Sequence, residues 1–314
     1  MWSTTSPPTA GPHLSDVLDP LALRNLCTSW LTADMPSSFD VGGFVVGTEP
    51  RVAHLYMKQS GVFAGRAFFE ECFNALPGCE VEWIQEDGEE TPSYIPTAAV
   101  EGKSYTYSGK PLLLAVVRGP VHNVLRGERT ALCALSRCSG VATASRRLVG
   151  IAEGLGWKGR VAGTRKTTPG FRLVEKFGLL CGGADTHRLD LSHMVMLKDN
   201  HVWAVGSIAE AVSRARRGCG FSSKIEVECR TYEEACEACD AGADVVMLDN
   251  YTPEGAKADA EKVKGKYPHV LVEVSGGITE DTIGTYLGDG VDVVSVGALT
   301  QGYACLDYSL KVQK

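Results

Sequence analysis

Six short segments in the second half of the chain carry residue types suited to handling anions and charged transition states. They are Thr164-Arg165-Lys166, Lys198-Asp199-Asn200-His201, Glu228, Asp249-Asn250, Ser275-Gly276-Gly277 and Gly297. Arg165, Lys166, Arg188 and Lys198 are cationic donors, and the Arg pair suits planar carboxylates or phosphates. Ser275-Gly276-Gly277 with Gly297 reads as a phosphate cradle. Glycine lets backbone N–H groups approach an anion, and a helix expected to start near Thr279 adds a positive dipole end. The competing reading is a tight turn. Glu228 and Asp249 place paired carboxylates among these cations. They would hold sugar hydroxyls, bind Mg²⁺, offset a cationic transition state or neutralise the neighbouring Lys and Arg groups. His187 sits beside Arg188 and reads with the anion set, against the common structural histidine; His201 reads as structural. Lys198 also suits Schiff-base chemistry if its pKa is lowered. Cys236-x-x-Cys239 is half a metal site, but it falls inside an expected helix with no second pair nearby, so no protein-held metal is expected.

These residues share a position. Each follows a short run rich in apolar and β-branched residues: Arg160–Gly163, His193–Leu197, Lys224–Val227, Asp244–Leu248, His269–Val274 and Asp292–Val296. Runs of this kind suit parallel strands buried on both faces. Helical patterns separate them. Ser207 with Glu210 and Thr231 with Glu234 match capping boxes, and Gly218 and Gly242 sit where helix C-caps are expected. The alternation implies βαβ units, arranged as an incomplete barrel or an open doubly wound sheet. In a parallel barrel all six exits converge on the C-terminal face, where active sites sit.

The first half reads differently. Residues 1–16 are expected to form a mobile arm. Residues 17–31 have helical spacing, and Gly65–Leu76 reads as a helix stopped by Pro77-Gly78. Arg51–Lys58, Val62–Ala64, Val81–Gln85, Lys103–Tyr107 and Pro111–Val117 read as strands. Val121–Leu155 reads as mostly helical with breaks near Gly127 and Gly140.

The chain has 314 residues and a net charge of −7, which argues against general nucleic-acid binding. Between Arg118 and Asp199, fourteen Lys/Arg face six acids, an excess of eight, so the remainder is about −15. Arg137, Arg146 and Arg147 read as solvated helix faces; the other cations are candidates for a polyanion pocket. The longest apolar run found is Leu112–Val117, far short of a membrane span. The start shows no basic and apolar signal pattern, so a cytoplasmic protein is expected, its eleven Cys reduced.

Gly163-Thr-Arg-Lys-Thr-Thr-Pro-Gly170 and Val195-Met-Leu-Lys-Asp-Asn-His201 resemble the quinolinate phosphoribosyltransferase family. So do Lys224-Ile-Glu-Val-Glu-Cys229, Leu248-Asp-Asn250, Val274-Ser-Gly-Gly-Ile278 and Val294-Ser-Val-Gly297. Upstream, Gly127-Glu-Arg-Thr-Ala-Leu-Cys-Ala-Leu-Ser-Arg-Cys-Ser-Gly140 is similar too. The likeness runs from about Val41 to the C-terminus. Cys133 departs from the family's usual Asn, and His122 from a usual small residue.

The resemblance implies an N-terminal α/β sandwich domain over 1–128, rejoined by the tail 301–314. It implies an incomplete α/β-barrel catalytic domain, with fewer than eight strands, over 129–300. It also implies a homodimer or hexamer whose site lies at the subunit boundary, with Arg129 reaching in from the partner. The implied reaction joins quinolinate to 5-phosphoribosyl 1-diphosphate with Mg²⁺, giving nicotinate mononucleotide, diphosphate and CO₂. Arg129, Arg165, His187 and Arg188 would then clamp the two carboxylates. Lys166 and Lys198 would stabilise the departing diphosphate, and Glu228 and Asp249 an oxocarbenium-like ribosyl centre. Ser275, Gly276, Gly277 and Gly297 would hold the 5-phosphate. Three alternatives stand beside this: a related transferase for a monocarboxylate, an aldolase-type lyase through Lys198, and a non-catalytic sugar-phosphate-binding module.

Overall fold

The computed structural model describes residues 13–314. Most of the expected N-terminal arm lies outside them; its last residues join Val17 in one 3₁₀ turn, Leu14–Val17. The chain forms two compact units. One runs up to Ser136 and includes Leu306–Lys314; the other is Arg137–Cys305.

The first unit holds helices α1 (Pro20–Ala33), α2 (Val41–Val46) and α3 (Arg66–Asn74). Its strands are β1 (Pro50–Met57), β2 (Gly61–Val62), β3 (Glu80–Trp83), β4 (Ile95–Pro96), β5 (Ser104–Tyr105), β6 (Leu112–Pro120) and the C-terminal β13 (Tyr308–Val312). The main sheet has the order β13-β1-β6-β3, with β4 on β6. Helix α1 starts where Asp19 accepts the Leu21 N–H ahead of Pro20. Phe63, Phe68, Phe69 and Phe73 are fully buried and form the aromatic centre of this unit. Phe69 meets Phe73 and Trp83 at centroid distances of 5.1 and 5.6 Å.

Helix α4 (Val121–Gly154) follows, and the division between units falls within it. It is continuous, so the breaks expected at Gly127 and Gly140 do not occur. Both glycines instead mark close packing. A Cβ on Gly140 would come 2.0 Å from the Ala304 carbonyl oxygen, and one on Gly127 would come 2.7 Å from the Phe73 ring.

The second unit alternates β7 (Arg160–Ala162), α5 (Arg172–Cys181), β8 (Val195–Leu197), α6 (Asp199–Val205), α7 (Ile208–Cys219) and β9 (Ile225–Cys229). It continues through α8 (Tyr232–Asp240), β10 (Val245–Asp249), α9 (Pro253–Lys266), β11 (Leu271–Ser275), α10 (Ile283–Tyr286), β12 (Val293–Ser295) and α11 (Ala298–Gln301). The six strands form one sheet, ordered β7-β12-β11-β10-β9-β8, and every ladder in it is parallel. This is the expected α/β architecture with fewer than eight strands. Among the described residues no ladder joins β8 back to β7, so the sheet is not a closed barrel. Its valines pack on both faces, as a parallel sheet flanked by helices requires.

The caps follow the sequence. Ser207 and Thr231 accept from Glu210 N–H and Glu234 N–H, each at 3.2 Å, and open α7 and α8. The C-cap of α7 is Gly220 (φ 66°), not Gly218, which lies in the helix's last turn. Arg146 and Arg147 are exposed, as expected, but Arg137 is not. Its guanidinium is buried on Glu175, 2.7 Å away. It also donates to the carbonyls of Thr300 (2.8 Å), Gly302 (2.6 Å) and Ala304 (3.2 Å).

Candidate active site

The C-terminal ends of the six strands surround one cavity of about 340 Å³. Arg165, Lys166, His187, Arg188, Lys198, Glu228, Asp249, Ser275, Gly276 and Gly277 all line it. His187 and Arg188 come from the loop between α5 and β8, and the others from every strand end except that of β12, where Ser295 takes the place on the wall. Gly297 is not part of the lining, although a Cβ there would lie 3.4 Å from the Lys166 side chain. Arg129 lies exposed on α4, in the first unit, and the lining comes wholly from the second.

Strand register sets the heights. Glu228 pairs with Met247, and Asp249 with Ser275, so an acid and the cradle serine stand side by side at the rim. Lys198 begins α6 and its ammonium donates to Glu228 Oε2. Burial and the neighbouring Glu228 push the Asp249 carboxyl up from its ordinary value, with Lys198 and Lys166 opposing them. Asn250 adopts φ 58°, donates its side-chain amide to Asp249 at 2.5 Å, and donates its backbone N–H to the Ser275 carbonyl at 2.9 Å. Gly276 has φ 106° and packs so closely on Asn250 that a Cβ would sit 2.7 Å from its backbone nitrogen. Glycine is therefore required there for shape as well as for access.

Four cations and two carboxylates leave the wall with a net charge of about +2. Arg188 is 8% exposed, and burial together with the charge of Arg165 pushes its pKa down. A buried guanidinium beside another is costly without a counter-anion, so the pair is poised for a ligand with more than one negative charge. His187 reaches the cavity with both ring nitrogens engaged. Nδ1 accepts the Arg188 N–H at 2.8 Å, and Nε2 faces Glu273 at 3.0 Å.

Three charged residues of this neighbourhood are given no individual role by the sequence. Glu226 and Glu273 are buried beneath the cavity. Each lies two residues before a rim residue, Glu228 and Ser275, so strand alternation puts it on the same inward face. That spacing was the available signal. Lys176 is an ammonium on the apolar stretch of α5, 2% exposed. It donates to the carbonyls of Thr164 (2.9 Å), Arg188 (3.0 Å) and Thr186, tying together the two loops that carry Arg165 and Arg188.

Burial, with Arg172, Arg165 and Arg188 nearby and Glu175 opposing them, pushes Lys176 down from 10.5 to about 8. Between those two values the unfolded chain binds this proton and the folded one does not, so stability rises with pH across the window. The contribution is present above about 10.5 and is lost as pH falls through about 8. Lys176→Met is expected to lack this rise. Urea denaturation of both proteins at pH 7.5, 9 and 10 measures it, and parallel curves would refute the assignment.

The family model for the quinolinate phosphoribosyl transferase N-terminal domain matches residues 40–139, and that for the C-terminal domain matches residues 141–311. A nicotinate-nucleotide pyrophosphorylase (carboxylating) of Dictyostelium discoideum is 49% identical over 309 residues, covering 96% of this chain and 99% of its own. The Homo sapiens protein of the same name is 46% identical over 299 residues, covering 95% and 94%. The solved nicotinate-nucleotide pyrophosphorylase of Francisella tularensis superposes with a TM-score of 0.81 at 28% identity, covering 97% of this chain and all of that one.

Proposed function

Because the chain belongs to the quinolinate phosphoribosyl transferase family, we infer from its matched domains and its strand-end cavity what reaction it performs. It transfers the phosphoribosyl group of 5-phosphoribosyl 1-diphosphate to quinolinate with decarboxylation, in NAD biosynthesis. The products are nicotinate mononucleotide, diphosphate and CO₂. The observation that carries this reading is the gathering of Arg165, Lys166, Arg188 and Lys198 with Glu228 and Asp249 around one cavity beside a glycine turn.

The chemistry divides among these groups. Arg165 and Arg188 hold the two carboxylates of quinolinate and turn its ring nitrogen toward the anomeric carbon. Ser275, Gly276 and Gly277, with Gly297 near Lys166, receive the 5-phosphate. Lys166 and Lys198 meet the diphosphate, which arrives as its Mg²⁺ complex; the ion is part of the substrate, and no residue of this chain is assigned to it. As the bond to diphosphate lengthens, Lys198 follows the leaving oxygens, and the negative charges of Glu228 and Asp249 face the positive sugar carbon. The new bond leaves the pyridine nitrogen positive. The electron pair of the adjacent carbon–carboxylate bond then stays on the ring carbon, CO₂ departs, and a proton takes its place. Water is a sufficient proton source.

The assembly belongs to the same reading. A homodimer, or a hexamer of such dimers, would bring Arg129 of the partner subunit to the quinolinate carboxylates, and the enzyme would work in the cytoplasm. Among the described residues no helix is long and apolar enough to cross a membrane.

The test is release of CO₂ and diphosphate from quinolinate and the Mg²⁺ complex of the phosphoribosyl donor. Both products are expected in equal amounts. Faster turnover of nicotinate than of quinolinate would move the assignment to a monocarboxylate transferase. Bound donor that never releases diphosphate would reduce the protein to a binding module. Borohydride trapping of a carbonyl substrate on Lys198 would indicate a lyase.

A further inference from the structure

Beneath the cavity the second unit buries an acid pair that the reaction does not use. Glu226 on β9 and Glu273 on β11 are 0% and 3% exposed. Among the described residues, neither carboxyl oxygen of Glu226 has a hydrogen-bond donor. The His187 ring lies against both acids, with Nε2 at 3.0 Å from Glu273 and 3.7 Å from Glu226. On its far side, Nδ1 accepts the Arg188 backbone N–H at 2.8 Å.

The three side chains have the spacing of a metal site, with one ligand atom from each, all within 4.8 Å of one another. The histidine argues against an ion. A ring that accepts an N–H at Nδ1 keeps its own proton on Nε2, which then has no lone pair to give. Two ionised carboxylates side by side in the interior would repel at low dielectric. The cations facing the pair are Arg188 and Lys198, and neither donates a hydrogen bond to Glu226. A proton on Glu226 removes the difficulty, because it converts an orphaned acceptor into a donor aimed at Glu273. Burial and then the Glu273 charge push Glu226 in that direction, well above the usual carboxylate range.

What the pair holds is a strained turn. His187 has φ 56°, a left-handed conformation that side chains seldom adopt unless the surroundings enforce it. The turn also decides where Arg188 points. A second cavity, of about 330 Å³, opens at the N-terminal ends of β10, β11 and β12. Arg188 lines both this cavity and the one at the strand C-termini.

We propose that Glu226 and Glu273 share one proton and pin His187 as its Nε2–H tautomer, and that this aims Arg188 into the substrate cavity. The proposal rests on the reaction assigned above and deepens it. His187, Glu226 and Glu273 are positioning residues, and the carboxylates of quinolinate are held by the arginines.

The test compares Glu226→Gln and Glu226→Leu in the full-length enzyme. A Gln amide donates to Glu273 as the protonated acid does, so Glu226→Gln is expected to keep the KM for quinolinate within about threefold. Glu226→Leu is expected to raise that KM about tenfold while leaving the KM for the phosphoribosyl donor in place. Two spectroscopic readings do not depend on turnover. The infrared spectrum of the wild type at neutral pH should contain a protonated-carboxyl band that Glu226→Gln lacks. Nitrogen NMR of ring-labelled histidine should show His187 protonated on Nε2. Absence of the band, a Glu226→Gln enzyme as impaired as Glu226→Leu, or one equivalent of Zn²⁺ bound by the wild type and lost in Glu226→Gln would each overturn the proposal. If quinolinate is not turned over at all, the reaction assignment fails, while the band and the tautomer still judge the acid pair.

Discussion

Replacing Arg188 by Ala is expected to lower kcat/KM for quinolinate about 10²–10³-fold, a loss of roughly 3–4 kcal/mol of transition-state stabilisation. Arg188 is nearly buried beside the other cations of the wall, where its charge is poorly screened. Its fork can grip a carboxylate through two N–H groups, and both grip and alignment vanish with it. Arg188→Lys is expected to recover little, because an ammonium lacks the planar fork. Steady-state kinetics with quinolinate varied at saturating donor measure the effect. An Arg188→Ala enzyme within a few-fold of wild type, folded by circular dichroism, would remove Arg188 from the clamp.

The second large effect is on stability. Arg137→Ala is expected to cost about 3–5 kcal/mol, because it leaves the buried Glu175 carboxylate without its cation. The carbonyls of Thr300, Gly302 and Ala304 lose a donor at the same time. Glu175 also accepts the backbone N–H and the hydroxyl of Thr168 at 2.9 and 2.8 Å. Thr168 closes the loop that starts with Arg165 and Lys166. Loss of Arg137 should therefore loosen the anion site as well as the core. Urea denaturation of the variant measures the first effect, and a cost below about 1 kcal/mol would show that Glu175 is protonated or solvated instead.

Much of the site was legible in the sequence because parallel strands write themselves plainly. A buried β-branched run that ends in a charged or glycine residue names both the strand and the rim residue, as Val245–Leu248 does for Asp249. The structure collects these exits in one cavity because the strands share a direction. Legibility failed where a residue's partners are far away in sequence. Arg137 looks like a solvated helix residue, since nothing local reveals Glu175 or the carbonyls near residue 300. Gly127 and Gly140 have the composition of helix breakers. Their reason is the approach of Phe73 and of the Ala304 backbone, which no window of sequence contains. Glu226 and Glu273 were hidden differently: a charge within an apolar strand reads as noise until its neighbours are known. Lys176 was hidden among apolar helix residues for the same reason.

The order of the parallel sheet bears on how the molecule is made. Strand β7 ladders with β12, so Val161 waits for Val294, about 130 residues further on. A chain synthesised only as far as β8 thus carries Arg165 and Lys166 after a strand whose ladder partner, β12, has yet to be made. The cavity is completed late, when β12 brings Ser295 to its wall, and a nascent chain truncated before that point lacks this strand.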